Sequence, residues 1–126
     1  MMEDSGPPLP APNGGDWQDF LKDRRAHGVL ELDLTKVGPG DRVVVETRNT
    51  RYELLWQTGT DVLLTTNRTD RAGGAVRVQG CGFGRSSTIK PNFLFCGGNL
   101  EYVSHDGRTR NRTTTIRALA IIRRED

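Results

Sequence analysis

From residue 29 onward, apolar and polar residues alternate with a period of two. VLELDL sets Leu30, Leu32 and Leu34 on one side and Glu31 and Asp33 on the other. RVVVET puts Val43 and Val45 on one face, YELLWQ aligns Tyr52, Leu54 and Trp56, and AVRVQG turns Val76 and Val78 away from Arg77 and Gln79. VLLTTNR, NFLF, LEYVS and TTTIRALAIIR continue the series, and segments such as GPGD, TGTD, CGGN and DGRTRN separate the runs. Period-two runs bounded by Gly, Asn and Asp turns predict half-buried antiparallel strands. About six to eight short strands at this spacing predict an all-β domain over residues 29–124, built as a small antiparallel β-barrel or a compact sandwich.

Two segments depart from that rhythm. Residues 1–15, MMEDSGPPLPAPNGG, hold no core-forming run and predict a disordered tail. Residues 16–28, DWQDFLKDRRAHG, predict one short amphipathic helix, with Asp16 as its cap and Gly28 as its stop. Trp17, Phe20 and Leu21 share a face at helical spacing. TTTIRALAIIR supplies a strand that is apolar on both sides: Ile116, Ala118, Ala120 and Ile122 alternate with Arg117, Leu119, Ile121 and Arg123. Such a strand is buried on both faces or pairs with another copy. The helix either covers it within the chain or docks on a partner. Trp17, Phe20, Leu119 and Ile121 are therefore the candidate protein interface.

GCGFGRSSTIK, residues 80–90, has the look of a phosphate cradle but fails the test. A P-loop needs its lysine beside the last glycine and a helix at once after it. Here Arg85 follows Gly84, and Pro91 and Asn92 follow Lys90. On an extended segment Gly80, Gly82 and Gly84 share one bare face, suited to close approach by another backbone, a bend or a bulge. Cys81 and Phe83 point the other way.

Charge is unevenly spread. Residues 1–35 carry three basic and seven acidic side chains, whereas residues 36–124 carry fifteen basic and seven acidic. Fifteen of the eighteen basic residues are arginine, whose fork suits carboxylate and phosphate. Arg48 and Arg51 flank one turn, Arg68 and Arg71 another, and Arg108, Arg110 and Arg112 crowd a third. If the fold brings these turns to one end they form a positive rim. Tyr52, Trp56, Phe83 or Tyr102 would then supply stacking for a single-stranded nucleic acid such as RNA, unless they are core.

The chemical motifs are thin. Ser104-His105-Asp106 reads as a strand end entering a turn, since consecutive strand residues face opposite ways and a triad is a spatial arrangement. Cys81 and Cys96 lack metal or redox spacing, and the two histidines, His27 and His105, stand far apart. No cofactor, metal or catalytic group is expected. No run reaches the roughly 18 apolar residues of a membrane span, and no secretory leader is visible. A cytoplasmic protein with no membrane contact is expected.

TRNTRYEL, then GCGFGRSSTIKPNFLFCGGNLEYV and TTTIRAL, together resemble an uncharacterised group of short bacterial all-β proteins. That group carries T-R-N-[ST]-x-Y, G-x-x-F-G-x-S-x-x-K and G-x-x-L-x-[FY] patterns. The likeness covers residues 36–122 and departs where Ser86 or Ser87 stands for the group's serine and Pro91 follows the lysine. It implies a bacterial origin and an all-β fold, and no activity. The expected function is a non-enzymatic interaction or adaptor module that binds a protein partner or itself; the alternative is binding of single-stranded nucleic acid through the arginine-rich turns.

Overall fold

The computed structural model describes residues 14–59, 61–67, 73–84 and 86–124. They form helix α1 (Gly14–Asp23) and strands β1 (His27–Val29), β2 (Glu31–Asp33), β3 (Arg42–Glu46), β4 (Arg51–Thr58), β5 (Asp61–Thr66) and β6 (Gly74–Gly82). Then follow β7 (Ile89–Pro91), β8 (Phe93–Phe95), β9 (Asn99–Ser104), β10 (Arg110–Thr115) and β11 (Ala118–Ile122). Most of the expected tail precedes the described residues.

The fold is mostly antiparallel β. The large sheet runs β1-β11-β3-β4-β5-β6-β9-β10, with β7 also paired to β6, and β2 and β8 form a separate ribbon. No ladder joins β1 to β10 among the described residues. The segments outnumber the expected strands partly because VLELDL breaks at Leu30. Before the break β1 pairs with β11, and after it β2 pairs with β8. Leu32 and Leu34 are buried, whereas Leu30 at the break is 80% exposed.

One face of the sheet forms the main core. Val43, Leu54 and Leu64 lie in register across β3, β4 and β5 on that face. Val78 and Tyr102 do the same across β6 and β9. The β2–β8 ribbon adds Leu32 and Leu94. Tyr52, Trp56 and Tyr102 are all buried here, so these aromatics belong to the core and present no stacking surface.

Helix α1 covers part of the opposite face. It starts at Gly14 and stops at Asp23, where the sequence predicts residues 16–28. Its stop is a Schellman-type turn: the Ala26 N–H donates to the Leu21 carbonyl at 2.8 Å and the Arg25 N–H to that of Lys22 at 3.3 Å. Arg25 takes the left-handed conformation, φ 53°, that glycine usually supplies. Gly28, the expected stop, lies in β1, where a Cβ would stand 3.4 Å from Leu21 Cδ1.

Phe20 is buried against Val44 and Ala120, with Trp17, Leu21 and Ile122 around it. The doubly apolar last strand is therefore covered within the chain. Leu119 and Ile121, proposed from the sequence as interface residues, belong instead to the main core. Ile116 joins them in that core. The single alternation across this segment is broken between β10 and β11, where the Arg117 N–H donates to the Glu46 carbonyl at 2.7 Å. Phe20→Ala is expected to lower stability in urea by about 3–5 kcal/mol without changing the sedimentation coefficient of the folded protein. Loss of an oligomer at unchanged stability would instead make the helix an interface.

The GPGD turn is pinned by Asp41. Gly38 N–H donates to its Oδ2 at 2.9 Å, Arg123 Nη1 to the same oxygen at 3.0 Å, and Arg124 N–H to Oδ1 at 2.7 Å. Burial pushes the Asp41 pKa up, but the donors from Arg124, Gly38 and Arg123 outweigh it, and the net shift is downward. A lowered folded pKa contributes stability above the unfolded value, lost as pH falls through the folded one. Acid titration of wild type should therefore show a loss below about pH 4 that is shallower in Asp41→Asn.

Candidate interaction face

The bare glycine face of β6 answers the question raised by GCGFGR. The ladder between β6 and β9 shifts register between Val78 and Gly80, a bulge. At Gly80, φ +143°, an added Cβ would stand 2.1 Å from the Lys90 carbonyl oxygen of β7. At Gly82 it would collide with the Arg112 guanidinium and the Glu101 carboxylate. The glycines thus admit a strand and an ion pair. Cys81 faces the core, and the exposed Phe83 packs against Phe95 with the rings tilted by 37° and their centroids 5.3 Å apart. Arg85 lies outside the described residues.

The outer face beside these glycines, across β6, β9 and β10, collects charge. Arg77, Val103 and Arg110 lie side by side in register, and Arg112 stands opposite Glu101. Arg112 Nε donates to Glu101 Oε2, and its Nη1 to the Gly84 carbonyl at 2.6 Å. Arg112, expected on the anion surface, is instead a half-buried strut that ties β10 to β9 and the glycine segment. Arg77 reaches Asp61 at 3.3 Å in an exposed pair, of a kind that contributes little.

Arg108 and Arg110 are exposed, and neither side chain makes a hydrogen bond or ion pair among the described residues. Register also carries the ends of β3, β5 and β9 to one end of the sheet, and with them the turns after β3 and β9, because Glu46 pairs with Arg51, Thr66 with Tyr52, and Ser104 with Val76. Arg48 and Arg108 lie in these two turns and are exposed. Arg68 and Arg71 lie outside the described residues.

Arg51 does not join them. It is fully buried beneath α1, with Nη2 2.5 Å from Glu46 Oε2 and its guanidinium 4.8 Å from the Phe20 ring centroid and 5.5 Å from that of Trp17. Nearby, Glu53 accepts from Arg24 at 3.0 Å and Arg42 at 3.1 Å. Arg51 looked like a turn residue, but its parity along β4 puts it on the face that α1 covers.

The chain matches no protein-family model, no curated protein and no solved structure. The site therefore stands on its own residues. Ser104 Oγ donates to Asp106 Oδ1 at 2.6 Å, and the backbone N–H groups of Arg108 and Thr109 bond to Asp106 Oδ1 and Ser104 Oγ. The Ser104 and Arg108 hydrogen bonds lower the Asp106 pKa. These bonds stitch the turn from which Arg108 projects. Among the described residues no three His, Cys, Asp or Glu side chains gather as a metal site, and no helix is long and apolar enough to cross a membrane.

Both thiols are free. Burial pushes the Cys81 pKa up to about 11 and raises that of Cys96. A thiolate is the reactive form, so at pH 8 a disulfide reagent should modify Cys81 only on the timescale of unfolding. Rapid native labelling at that position would refute the placement. Arg77 is the residue the sequence reading passed over; its alternation with Val76 and Val78 was visible, but its neighbour across the ladder was not.

Proposed function

We propose that this domain is a non-enzymatic interaction module that binds a protein partner through the arginine face at β10. The observation that carries the reading is the pair Arg108 and Arg110, exposed cations whose side chains have no partner among the described residues, at a strand that ends the sheet of those residues. Long positive side chains free of internal ion pairs are available to acidic groups on another molecule at little desolvation cost. Self-association through paired β10 strands is disfavoured, since it would set arginine against arginine. We read the sheet as a barrel-like curl, because strands from both ends of the ladder and the β2–β8 ribbon feed one core. Two free thiols suit the reducing cytoplasm.

A second reading, single-stranded nucleic acid, is favoured by the turns gathered at one end of the sheet and weakened by the burial of Tyr52, Trp56 and Tyr102. Fluorescence anisotropy separates the two readings. A labelled acidic peptide should bind wild type, weaken with salt, and fail to bind Arg108→Glu/Arg110→Glu that melts like wild type. Preference for a labelled RNA oligonucleotide, with log affinity linear in log salt, would install the second reading. Binding of neither at low salt would remove both.

A further inference from the structure

The end position of β10 in the ladder specifies more than a charged patch. Ser104 N–H donates to the Thr109 carbonyl at 2.8 Å. Antiparallel partners exchange both bonds at every second residue. Tyr102 and Asn111, opposite each other, are therefore the next bonded pair. Arg110 and Arg112 then turn their backbone N–H and C=O groups away from β9, toward the side where no described strand lies. The same two residues put their side chains on the outer face, and Arg112 is already committed to Glu101. Backbone hydrogen-bonding groups and a guanidinium without a partner among the described residues thus converge at Arg110, with Arg108 just before it in the turn.

Resting on the interaction-module reading, we infer that β10 accepts an extended acidic peptide as an added antiparallel strand. Added strands gain affinity from main-chain hydrogen bonds and specificity from alternate side chains. A residue directly opposite Arg110 presents its own N–H to β10 and its side chain to the outer face, within cross-strand reach of the guanidinium. Acidic residues at every second position place their carboxylates along the Arg108–Arg110 side. The intervening residues fall beside Asn111, on the other face of β10. A second copy of the chain is the poorer occupant, because its own β10 would bring cations to cations.

The test uses the full chain and a fluorescein-labelled peptide that alternates Glu and Thr, read by anisotropy at low salt. Two further peptides carry backbone N-methyl groups, one at the Glu positions and the other at the Thr positions. Antiparallel addition predicts at least about tenfold weaker binding, equivalent to about 1.4 kcal/mol, for the Glu-methylated peptide and unchanged binding for the Thr-methylated one. Arg110→Glu should weaken the unmodified peptide by about tenfold or more with its melting curve preserved. Equal binding of all three peptides, still sensitive to Arg110→Glu, overturns strand addition and leaves an electrostatic docking module. Failure of every acidic peptide to bind sinks the module reading too and leaves the arginines as guards against edge-to-edge aggregation.

Discussion

Arg51→Ala should lower stability by about 3–5 kcal/mol, because it strands a charge that the fold has enclosed. The guanidinium is fully buried, and Glu46, its only ion-pair partner among the described residues, is nearly so. Removing the cation leaves the carboxylate without compensation. The guanidinium is not fully satisfied either, since its Nε and Nη1 have no hydrogen-bond acceptor among the described residues. They lie beneath the rings of Trp17 and Phe20, whose faces attract the cation without accepting conventional bonds from all its donors. The pair should therefore be replaceable as a unit. Arg51→Met combined with Glu46→Leu is expected to equal or exceed wild type in guanidinium denaturation, while Arg51→Met alone loses several kcal/mol. Additive losses in the double variant would mean that the two charges are held independently and that the ion pair does not organise this layer.

Gly80→Ala is the second large effect, about 2–6 kcal/mol, the combined range of backbone strain and overpacking. The positive φ disfavours any side chain, and the new methyl would meet backbone, the Lys90 carbonyl, which cannot rotate away. Gly84→Ala is the matched control. Gly84 also has a positive φ, +55°, but an added Cβ there meets nothing within 4 Å, so only the conformational cost of about 1–2 kcal/mol remains. Urea titrations of the two variants should separate accordingly. Equal losses would mean that β7 yields to the intruding methyl.

These two residues also mark how far the sequence could be read. The glycine face was legible because period two is a local property: Gly80 and Gly82 had to share a side, whatever lay above them. The alternation of RVVVET and YELLWQ likewise assigned Val43, Val45, Tyr52, Leu54 and Trp56 to one core. Arg51 was misread because local parity says which face a residue occupies but not what covers that face. The same alternation groups Glu46, Arg51 and Glu53, and the apolar side of α1 needed somewhere to pack. Together those signals could have placed Arg51 under the helix. Leu119 and Ile121 were assigned outward because one alternation was drawn through Ile116 and Arg117, where the chain leaves β10 for β11. Arg25 hid the helix end, since nothing in its side chain advertises a left-handed turn while Gly28 offers a more obvious one. Arg108 and Arg110 needed least from tertiary structure, because a turn and the strand leaving it project side chains outward in most sheets.

The position of β11 between β1 and β3 has a consequence for how the chain is made. Val43 pairs with Ile121, and so does His27, so β3 waits for a partner that leaves the ribosome after nearly all of the domain. Contacts this distant in sequence slow folding, since chain entropy is lost before they repay it. Until then Val43, Val44 and Val45 form a valine-rich strand with one side unpaired, and α1 has only half of its seat. A nascent chain halted before Ala118 would expose that strand as a template for aggregation. Strand β11 is therefore the stopper for β3, whose free side it closes.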